Sequence, residues 1–543
     1  MTVDDRATAT STGADHRAAA NELVRSLIRE PWGQVSPSVY ETARLVVLAP
    51  WLTGHGRRIA YLLESQRPDG GWGGPGGYAL VPTLSAADAL IACLERAPDG
   101  PDRAALERAA DRALGMLARL LARLAPADVP DMPAADVIMA SLTGSIDDRL
   151  RGLRDSSSTV LRDWVRRGAP ALPAWFDGGR LAAVLAALDA GVPLPVKLFH
   201  ALEVAGPAGA GAAGAHPAPT GAIGAAPAAT AAWLGDAGAA DPGHPARRFL
   251  ETVVRSQGGP VPCGVPVTMF ERSWVLGTLV RAGLSPDVPA ELVTELLAGL
   301  GPEGTPAAAG LPADADTTAM TLYSLSLLGV RCAPTSLLHY ETDTHFCTWP
   351  GEDGHSASVN AHVLSAFGRY LKDIGTGSPD PGMSVQHSSG IVRKLSSWLC
   401  DQQHEEGSWH DRWHASPYYA TVSCALALAE FGGDAGRDAV AGAIRWVLAT
   451  QRSDGSWGAW NGTAEETAYA LQTLLLTGTN ADSAVARAVT DGRRWLLRSA
   501  DDEPRPALWH DKDLYHPTAI VDAEILAALH LTRRGFAPKD RRL

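Results

Sequence analysis

The sequence has little of what would indicate a metal centre, a disulfide framework or a nucleic-acid-binding surface. Its six cysteines, among 543 residues, show no CxxC spacing. They therefore predict reduced thiols in a cytoplasmic protein. Its net charge of −13 argues against nucleic acid as a partner, because a phosphate backbone requires a basic face. A few local Lys and Arg side chains can still bind a small anion.

Targeting and membrane signals are also missing. The N-terminus has no basic region followed by an apolar core, so no signal peptide is predicted. Its Ala, Thr, Ser and Gly residues predict a disordered tail over 1–18. No run of 18 apolar residues is free of charges or helix breakers, and we therefore expect no stable membrane insertion. Strand-like alternation is scarce and apolar residues recur every three or four positions, which predicts an all-α fold.

A short motif recurs three times along the chain. It has the form Gln-x-x-(Asp/Glu)-Gly-(Ser/Gly)-Trp and occurs at Gln66–Trp72, Gln403–Trp409 and Gln451–Trp457. Each copy follows one helical segment and precedes another, as in a repeated helical hairpin. The acidic residue and Gly predict a tight turn, the Gln bonds to backbone at helix ends, and the Trp packs the turn. We interpret these Gln and Trp residues as structural.

The stretch 205–247 is rich in Ala, Gly and Pro, and predicts a loop or irregular insertion. Its two histidines, His216 and His244, are interpreted as loop residues rather than metal ligands. No site for a specific metal follows from any cluster of side chains in the sequence.

One segment predicts a catalytic acid. Asp314 and Asp316 precede an apolar helical run, and Thr317 and Thr318 follow them directly. An alkene is a very weak base, so protonating it needs a carboxylic acid that stays protonated near neutral pH. Burial and a second carboxylate both raise a carboxyl pKa in this way. Taken alone, the segment fits acidic residues that cap a helix better than it fits a catalytic acid.

Several further segments favour a catalytic acid over helix capping. Leu311–Ala319 resembles the Asp-x-Asp-Asp acid motif of class II terpene cyclases, with Thr317 in the place of the third Asp, and the Gln/Trp repeats resemble that superfamily's repeat. Further resemblance to bacterial copalyl-type (labdane-related) diphosphate synthases extends in order from about residue 36 to 530. It is carried by the segments Ser38–Ala43, Phe346–Glu352, Ser358–Leu364, Trp413–Thr421 and Trp509–Tyr515.

The resemblance implies roles for individual residues. Asp316 matches the general acid, Asp314 its companion carboxylate, and Asn360 an amide that orients the acid without ionising it. His200 matches the histidine of a pair that holds a water as terminating base in plant copalyl diphosphate synthases. Cys263 stands where those enzymes have the partner Asn, which puts the final proton acceptor in doubt.

The resemblance also implies a substrate with a diphosphate that survives the reaction. Arg281 and Lys512 match basic positions of the family, and Lys394 and Arg412 lie near its motifs. Mg²⁺ commonly assists diphosphate binding in this family, and the sequence does not identify its ligands. Aromatic faces stabilise carbocations, and the expected substrate-pocket residues beside Cys263 are Trp274, Trp349, Tyr419 and Trp460.

The predicted architecture is two α/α-barrel domains, double-ring helical toroids of the β and γ type. The β domain is expected to comprise 19–55 and 300–543, with 56–299 inserted as the γ domain and the active site between them. The predicted reaction is cyclisation of geranylgeranyl diphosphate to a bicyclic copalyl-type diphosphate, which a class I terpene synthase or other tailoring enzyme would then use. Class I ionisation is not expected, because Asp147-Asp148 lacks the third acid of that motif.

Other functions remain open from the sequence. The same chemistry on farnesyl diphosphate would give a drimane-type product. A squalene-type cyclase is disfavoured by the few repeats and the lack of a membrane-docking segment. A non-catalytic helical-toroid binding protein stays possible, and a protein prenyltransferase subunit is disfavoured because no Asp-x-Cys motif accompanies a suitable His for Zn²⁺.

Overall fold

The structure of the chain is a computed structural model. The structure describes residues 3–534 except 97–101, 156–157, 376–379, 381, 478–481, 501 and 503. Within these ranges it describes the side chains of residues 16–533 except residue 155.

Helices account for nearly all regular structure in the described part of the chain. The α-helices, in chain order from α1 to α20, are Val3–Arg29, Val39–Leu48, His55–Glu64, Leu80–Arg96, Arg103–Leu121, Ala135–Gly152, Arg162–Arg167, Gly179–Asp189, Pro227–Ala239, Pro245–Ser256, Thr268–Arg281, Ala290–Gly299, Ala315–Leu327, Ala357–Ile374, Val385–Asp401, Pro417–Phe431, Arg437–Ala449, Ala464–Thr477, Ser483–Ser499 and Thr518–Arg534. Short 3₁₀ segments are Gly76–Ala79, Pro126–Asp128, Leu153–Asp155, Val196–Gly209 and Pro334–Tyr340. Strands β1 (Trp509–His510) and β2 (Leu514–Tyr515) form an antiparallel hairpin.

The first barrel is a closed double ring. Its inner helices contact one another in the cyclic order α11, α13, α14, α16, α18, α20 and back to α11. The outer layer consists of α1, α12, the 3₁₀ segment Pro334–Tyr340, α15, α17 and α19. Inner helices such as α18 are buried all round, as expected for helices enclosed by a second ring. We call this unit the β-type barrel.

The second barrel is smaller and is built in the same way. Its inner ring closes through α2, α4, α6, the 3₁₀ segment Val196–Gly209 and α9, which contacts α2 again. Helices α3, α5, α7, α8 and α10 lie outside this ring. We call this unit the γ-type barrel. The two-barrel all-α prediction is confirmed.

The domain boundaries differ from the predicted ones. Helix α2 was assigned to the β domain, but Tyr40, Ala43 and Val46 pack in the γ-type core. Helices α11 and α12 were assigned to the γ domain, but their apolar residues pack with α1 and the C-terminal helices. The γ-type barrel therefore comprises about residues 38–266. Helical periodicity reveals each helix but not the ring to which it belongs.

The N-terminal segment also differs from prediction. Helix α1 begins at Val3, where the sequence predicted a disordered tail over 1–18. Alanines favour the helix, and near its middle Arg17 and Asn21 both bond to Asp287 of the β-type barrel, at 2.8 and 2.9 Å. The Ala/Gly-rich stretch 205–247 likewise contains helix α9, because small side chains let this helix pack closely in the ring.

The Gln/Trp repeats have the structural role that the sequence predicts. In each copy the Gln amide donates to the carbonyl of the motif's Gly and to a carbonyl of the second α-helix after the motif, at 2.8–3.0 Å. Each Trp is fully buried and donates its indole N–H to the preceding helix, at 2.7–2.9 Å. At Gly407 a positive φ and a carbonyl 2.4 Å from the position of a Cβ permit only glycine.

Helix α4 with its preceding turn, Gly76–Arg96, is long and apolar enough to cross a membrane, with a mean hydropathy of 1.5. However, 89% of that window is buried inside the protein. It is the central helix of the γ-type ring, in contact with α2, α5 and α6. The core of the barrel therefore accounts for its apolar character.

Candidate active site

A cavity of about 750 Å³ lies between the two barrels. The β-type barrel contributes the start of α13, the loop 348–353, the segment 412–413 and the β1–β2 hairpin. The γ-type barrel contributes residues 129–137, 180–184, 197–201 and 262–264. The cavity thus lies where the active site is expected from the sequence, between the two barrels. Its volume falls within the roughly 300–1,000 Å³ typical of small-molecule sites.

Asp314 and Asp316 both line this cavity, but they occupy different positions in α13. Asp314 is the N-cap and accepts hydrogen bonds from the Thr317 N–H, at 2.6 Å, and the Thr317 hydroxyl, at 3.0 Å. Burial, with help from the charge of Asp316, raises the pKa of Asp314 to about 7. Asp316 lies in the first turn, so capping leaves its carboxyl free for another role.

The hydrogen-bond partner of Asp316 is His362, not the predicted Asn360. Nδ1 of His362 lies 2.7 Å from Oδ1 of Asp316. Asn360 instead bonds both backbone groups of Phe346, accepting from its N–H at 2.8 Å and donating to its carbonyl at 3.0 Å. The two residues are two positions apart on α14, so they project about 200° apart around the helix. Asn360 is therefore a structural residue.

His200 lines the cavity, as predicted, but both of its ring nitrogens face acceptors. Nδ1 lies 2.6 Å from the Gly224 carbonyl and Nε2 lies 2.7 Å from Oδ1 of Asp511. Burial lowers the pKa of His200, but Asp511 outweighs it and the net shift is upward. Burial raises the pKa of Asp511, yet His200 and Lys512 hold it below its ordinary value. The two groups form a buried ion pair, and His200 has no nitrogen left to hold a water.

Cys263 lines the cavity near this pair, as the sequence predicts. A Cβ on the adjacent Gly264 would lie 3.4 Å from Oδ2 of Asp511 and 3.7 Å from Cε1 of His200. Burial raises the pKa of the Cys263 thiol well above its ordinary value, so the thiol is neutral. All six cysteines are free thiols, of which Cys332, Cys347 and Cys400 are only half-buried.

Three of the four predicted diphosphate ligands do not line the cavity. Lys512 is completely buried between Glu41 and Glu203, at 2.7 and 2.9 Å, because the hairpin inserts it into the γ-type barrel. Lys394 pairs with Glu341 at 2.6 Å on α15, outside the cavity lining. Arg281 ends α11 eleven residues after the cavity residue Phe270, and this separation is about 16 Å along a helix.

Arg412 is the predicted ligand that lines the cavity. Its guanidinium donates to the Asp353 carbonyl at 2.6 Å and pairs with Asp131 at 2.9 Å. Two further cations line the same cavity and were missed from the sequence, Lys197 and Arg180. Nζ of Lys197 lies 3.3 Å from the Gly351 carbonyl, and this contact joins the two barrels.

Of the aromatic residues predicted for the substrate pocket, only part lie at the cavity wall. Trp349 lines the cavity, whereas Trp274 and Tyr419 form a second layer behind Phe270 and Trp509, which do line it. The ring centroids of Phe270 and Trp274 are 4.6 Å apart, and those of Tyr419 and Trp509 are 4.7 Å apart.

Trp460 does not line the cavity. It packs edge-on against Tyr78, with ring centroids 5.5 Å apart.

The side chains around the cavity show whether a metal ion fits there. Within the described ranges, no three His, Cys, Asp or Glu side chains come together as a metal-binding group. Asp131, Glu352 and Asp353 line the cavity around Arg412, and Oε2 of Glu352 is buried without a hydrogen-bond donor, 3.5 Å from Arg412. Such carboxylates fit a Mg²⁺ ion that takes most of its ligands from a bound diphosphate.

Two helical barrels with a carboxylic acid at the wall of the cavity between them define a class II terpene cyclase. Comparisons with known proteins agree. Residues 353–517 match the squalene-hopene cyclase C-terminal domain. The chain is 39% identical, over 95% of its length and 96% of the relative's, to an ent-copalyl diphosphate synthase of Streptomyces sp. (strain KO-3988). It is 41% identical, over 96% of its length and 94% of the relative's, to a labda-7,13-dienyl diphosphate synthase of Streptomyces clavuligerus.

Solved structures lead to the same family. The ent-copalyl diphosphate synthase from Streptomyces platensis is 44% identical, with a TM-score of 0.88 over 95% of this chain and 99% of that one. The chain therefore belongs to the class II terpene cyclases, among the bacterial copalyl-type diterpene diphosphate synthases.

Proposed function

We propose that this enzyme protonates the terminal alkene of geranylgeranyl diphosphate and cyclises it to a bicyclic copalyl-type diphosphate, with the diphosphate retained. The observation that carries the proposal is the Asp316 carboxyl at the cavity wall, hydrogen-bonded to His362. Relatives at about 40% identity over nearly the whole chain are named for products of this kind.

Asp316 is the proposed proton donor. When Nδ1–H of His362 donates to Oδ1, the carboxyl proton resides on Oδ2 and its direction is fixed. Asp314 is the companion carboxyl, and burial, with help from the charge of Asp316, raises the pKa of Asp314 to about 7, so that Asp314 can itself carry a proton near neutral pH. His362 thus takes the orienting role that the sequence assigned to Asn360.

The cation that follows needs a wall without nucleophiles. Phe270, Trp349 and Trp509 line the cavity and present aromatic rings that attract a cation.

The final proton goes to Asp511 in this proposal. Its Oδ1 accepts hydrogen bonds from His200 at 2.7 Å and from the Lys512 N–H at 2.7 Å, which leaves Oδ2 as the acceptor. A carboxylate is basic enough for this step because a carbocation is a very strong acid. His200 then acts by orienting Asp511 rather than by holding a water.

Arg412, Lys197 and Arg180 are the proposed ligands of the diphosphate, since they bring positive charge to the same cavity. Mg²⁺, when bound, would neutralise diphosphate charge and orient it. Asp131, Glu352 and Asp353 are the carboxylates that could hold the ion there.

The cellular setting follows from the chemistry. The product keeps its allylic diphosphate, so we propose that a class I terpene synthase or another tailoring enzyme uses it next. We also propose a cytoplasmic location.

The test is incubation of the protein and Mg²⁺ with C15, C20 and C30 prenyl substrates, followed by dephosphorylation and mass analysis. We expect a bicyclic C20 alcohol as the main product. A C15 product alone would favour the drimane-type alternative, which the cavity volume also allows. No product from any substrate would contradict the proposal.

A further inference from the structure

Glu465 is a buried carboxyl behind the aromatic wall of the cavity. It lies in the first turn of α18, and its side chain is 4% exposed. Its Oε1 accepts hydrogen bonds from the indole N–H of Trp509 at 2.8 Å, the hydroxyl of Tyr469 at 3.0 Å and Nε2 of His414 at 3.1 Å. Its Oε2 is buried and accepts no hydrogen bond from the described residues.

The contacts indicate that Glu465 is ionised. Nδ1 of His414 accepts the N–H of Ser416 at 3.0 Å, so the ring proton is on Nε2 and points to Glu465. Three donors on one oxygen suit a carboxylate. Burial alone would raise the pKa of Glu465, but His414, His516 and Trp509 together hold it below its ordinary value.

Trp509 connects this charge to the cavity. The indole lines the cavity, and because its N–H edge faces Glu465, its carbon framework borders the cavity space. A hydrogen bond to an anion makes the indole more electron-rich, and a negative charge in an apolar surrounding acts over several ångströms. Both effects favour a positive charge on the cavity side of the ring.

We propose that Glu465 is a positioning residue for the cyclisation, whose buried negative charge acts through Trp509 to strengthen the attraction of the cavity wall for the carbocation. This inference rests on the proposed function. A purely structural role, in which Glu465 only ties the β1–β2 hairpin to α18, would need the hydrogen bonds but not the charge.

The variant Glu465→Gln separates the two roles, because an amide oxygen can still accept hydrogen bonds while the charge is lost. The probes are an aza analogue of geranylgeranyl thiolodiphosphate, protonated at nitrogen, and its uncharged carbon counterpart. We expect the variant to bind the cationic analogue roughly tenfold more weakly and the neutral analogue within about twofold of wild type.

Glu466 offers a matched control on the same helix. It is also buried, but it bonds the Ser416 hydroxyl, the Ala459 N–H and the Thr463 hydroxyl. Glu466→Gln should therefore leave the ratio of the two affinities unchanged. An equal loss for both analogues in Glu465→Gln, or the same ratio as in Glu466→Gln, would overturn the proposal.

A second variant tests the same proposal if Glu465→Gln does not fold. Trp509→Phe retains an aromatic ring but removes the N–H that links it to Glu465. It should weaken the cationic analogue selectively, and an unchanged ratio would again overturn the proposal. The proposed function fails separately, if wild-type protein does not cyclise any prenyl diphosphate.

Discussion

Replacing His362 by Phe tests how the acid is oriented. Phe keeps a flat ring against Trp274, whose centroid lies 5.4 Å from that of His362, but it removes the 2.7 Å hydrogen bond to Asp316. A hydrogen bond to an ionisable group is worth about 1.5–3 kcal/mol, which corresponds to a factor of roughly 10–150 in rate. We therefore expect kcat for geranylgeranyl diphosphate to fall by that factor at nearly constant KM.

The assay is steady-state turnover with quantified C20 product, combined with thermal unfolding of the same samples. Asn360→Leu is the contrasting variant. It leaves the N–H and carbonyl of Phe346 without partners, so we expect a loss of about 2–5 kcal/mol in unfolding free energy. Wild-type kcat in His362→Phe, with full folding, would refute the orienting role of His362.

Four further changes have definite expected outcomes. Arg412→Ala should raise KM roughly tenfold or more, whereas Arg281→Ala should not, as steady-state kinetics would show. Asp511→Asn should shift the alkene position or add hydroxylated products in a product analysis, and an unchanged profile would exclude Asp511 as the final acceptor. Gln403→Ala removes two hydrogen bonds of 2.8 Å and should cost about 2–3 kcal/mol in chemical denaturation. Burial raises the pKa of Asp314 to about 7, so the folded chain favours the protonated carboxyl. This contribution to the free energy of unfolding is fully present below the pKa of Asp314 in the unfolded chain, and it is lost as the pH rises through about 7. Asp314→Asn should therefore gain Tm relative to wild type above pH 7, and a difference independent of pH would contradict this.

Local sequence signals predict most of the fold because they act within a turn or a helix. In each of the three Gln/Trp motifs the Trp bonds to the preceding helix and the Gln bonds to the second helix after the motif, so all three copies have the same hydrogen bonds. The two-barrel organisation follows from such repeats. Membership of α2, α11 and α12 in a given ring depends on packing between distant segments, which no local pattern encodes.

The candidate site likewise contains residues that a local motif predicts and residues that depend on long-range packing. Asp314 and Asp316 could be found from a motif, since helix capping and acid chemistry are both local. His362 was missed because Asn360 and His362 stand two apart on one buried helix, and only the orientation of α14 decides which of them reaches Asp316. The presence of a histidine within the resembling segment was the one available signal.

Lys512 shows why charge alone misleads. The family resemblance matches Lys512 to a basic position and so predicts a diphosphate ligand, but the β1–β2 hairpin places it between Glu41 and Glu203 of the other barrel. Its partners lie more than 300 positions earlier, and they become neighbours only when the barrels assemble. Lys197 and Arg180 reach the cavity by the same long-range packing.

Deuterium incorporation tests the central claim most directly. In D₂O, an exchangeable carboxyl proton on Asp316 becomes a deuteron, and protonation of the terminal alkene places it on carbon. We predict one deuterium in each bicyclic C20 product from wild-type enzyme, no release of free diphosphate, and no cyclised product from folded Asp316→Asn. A product without deuterium, or full cyclisation by Asp316→Asn, would contradict the account.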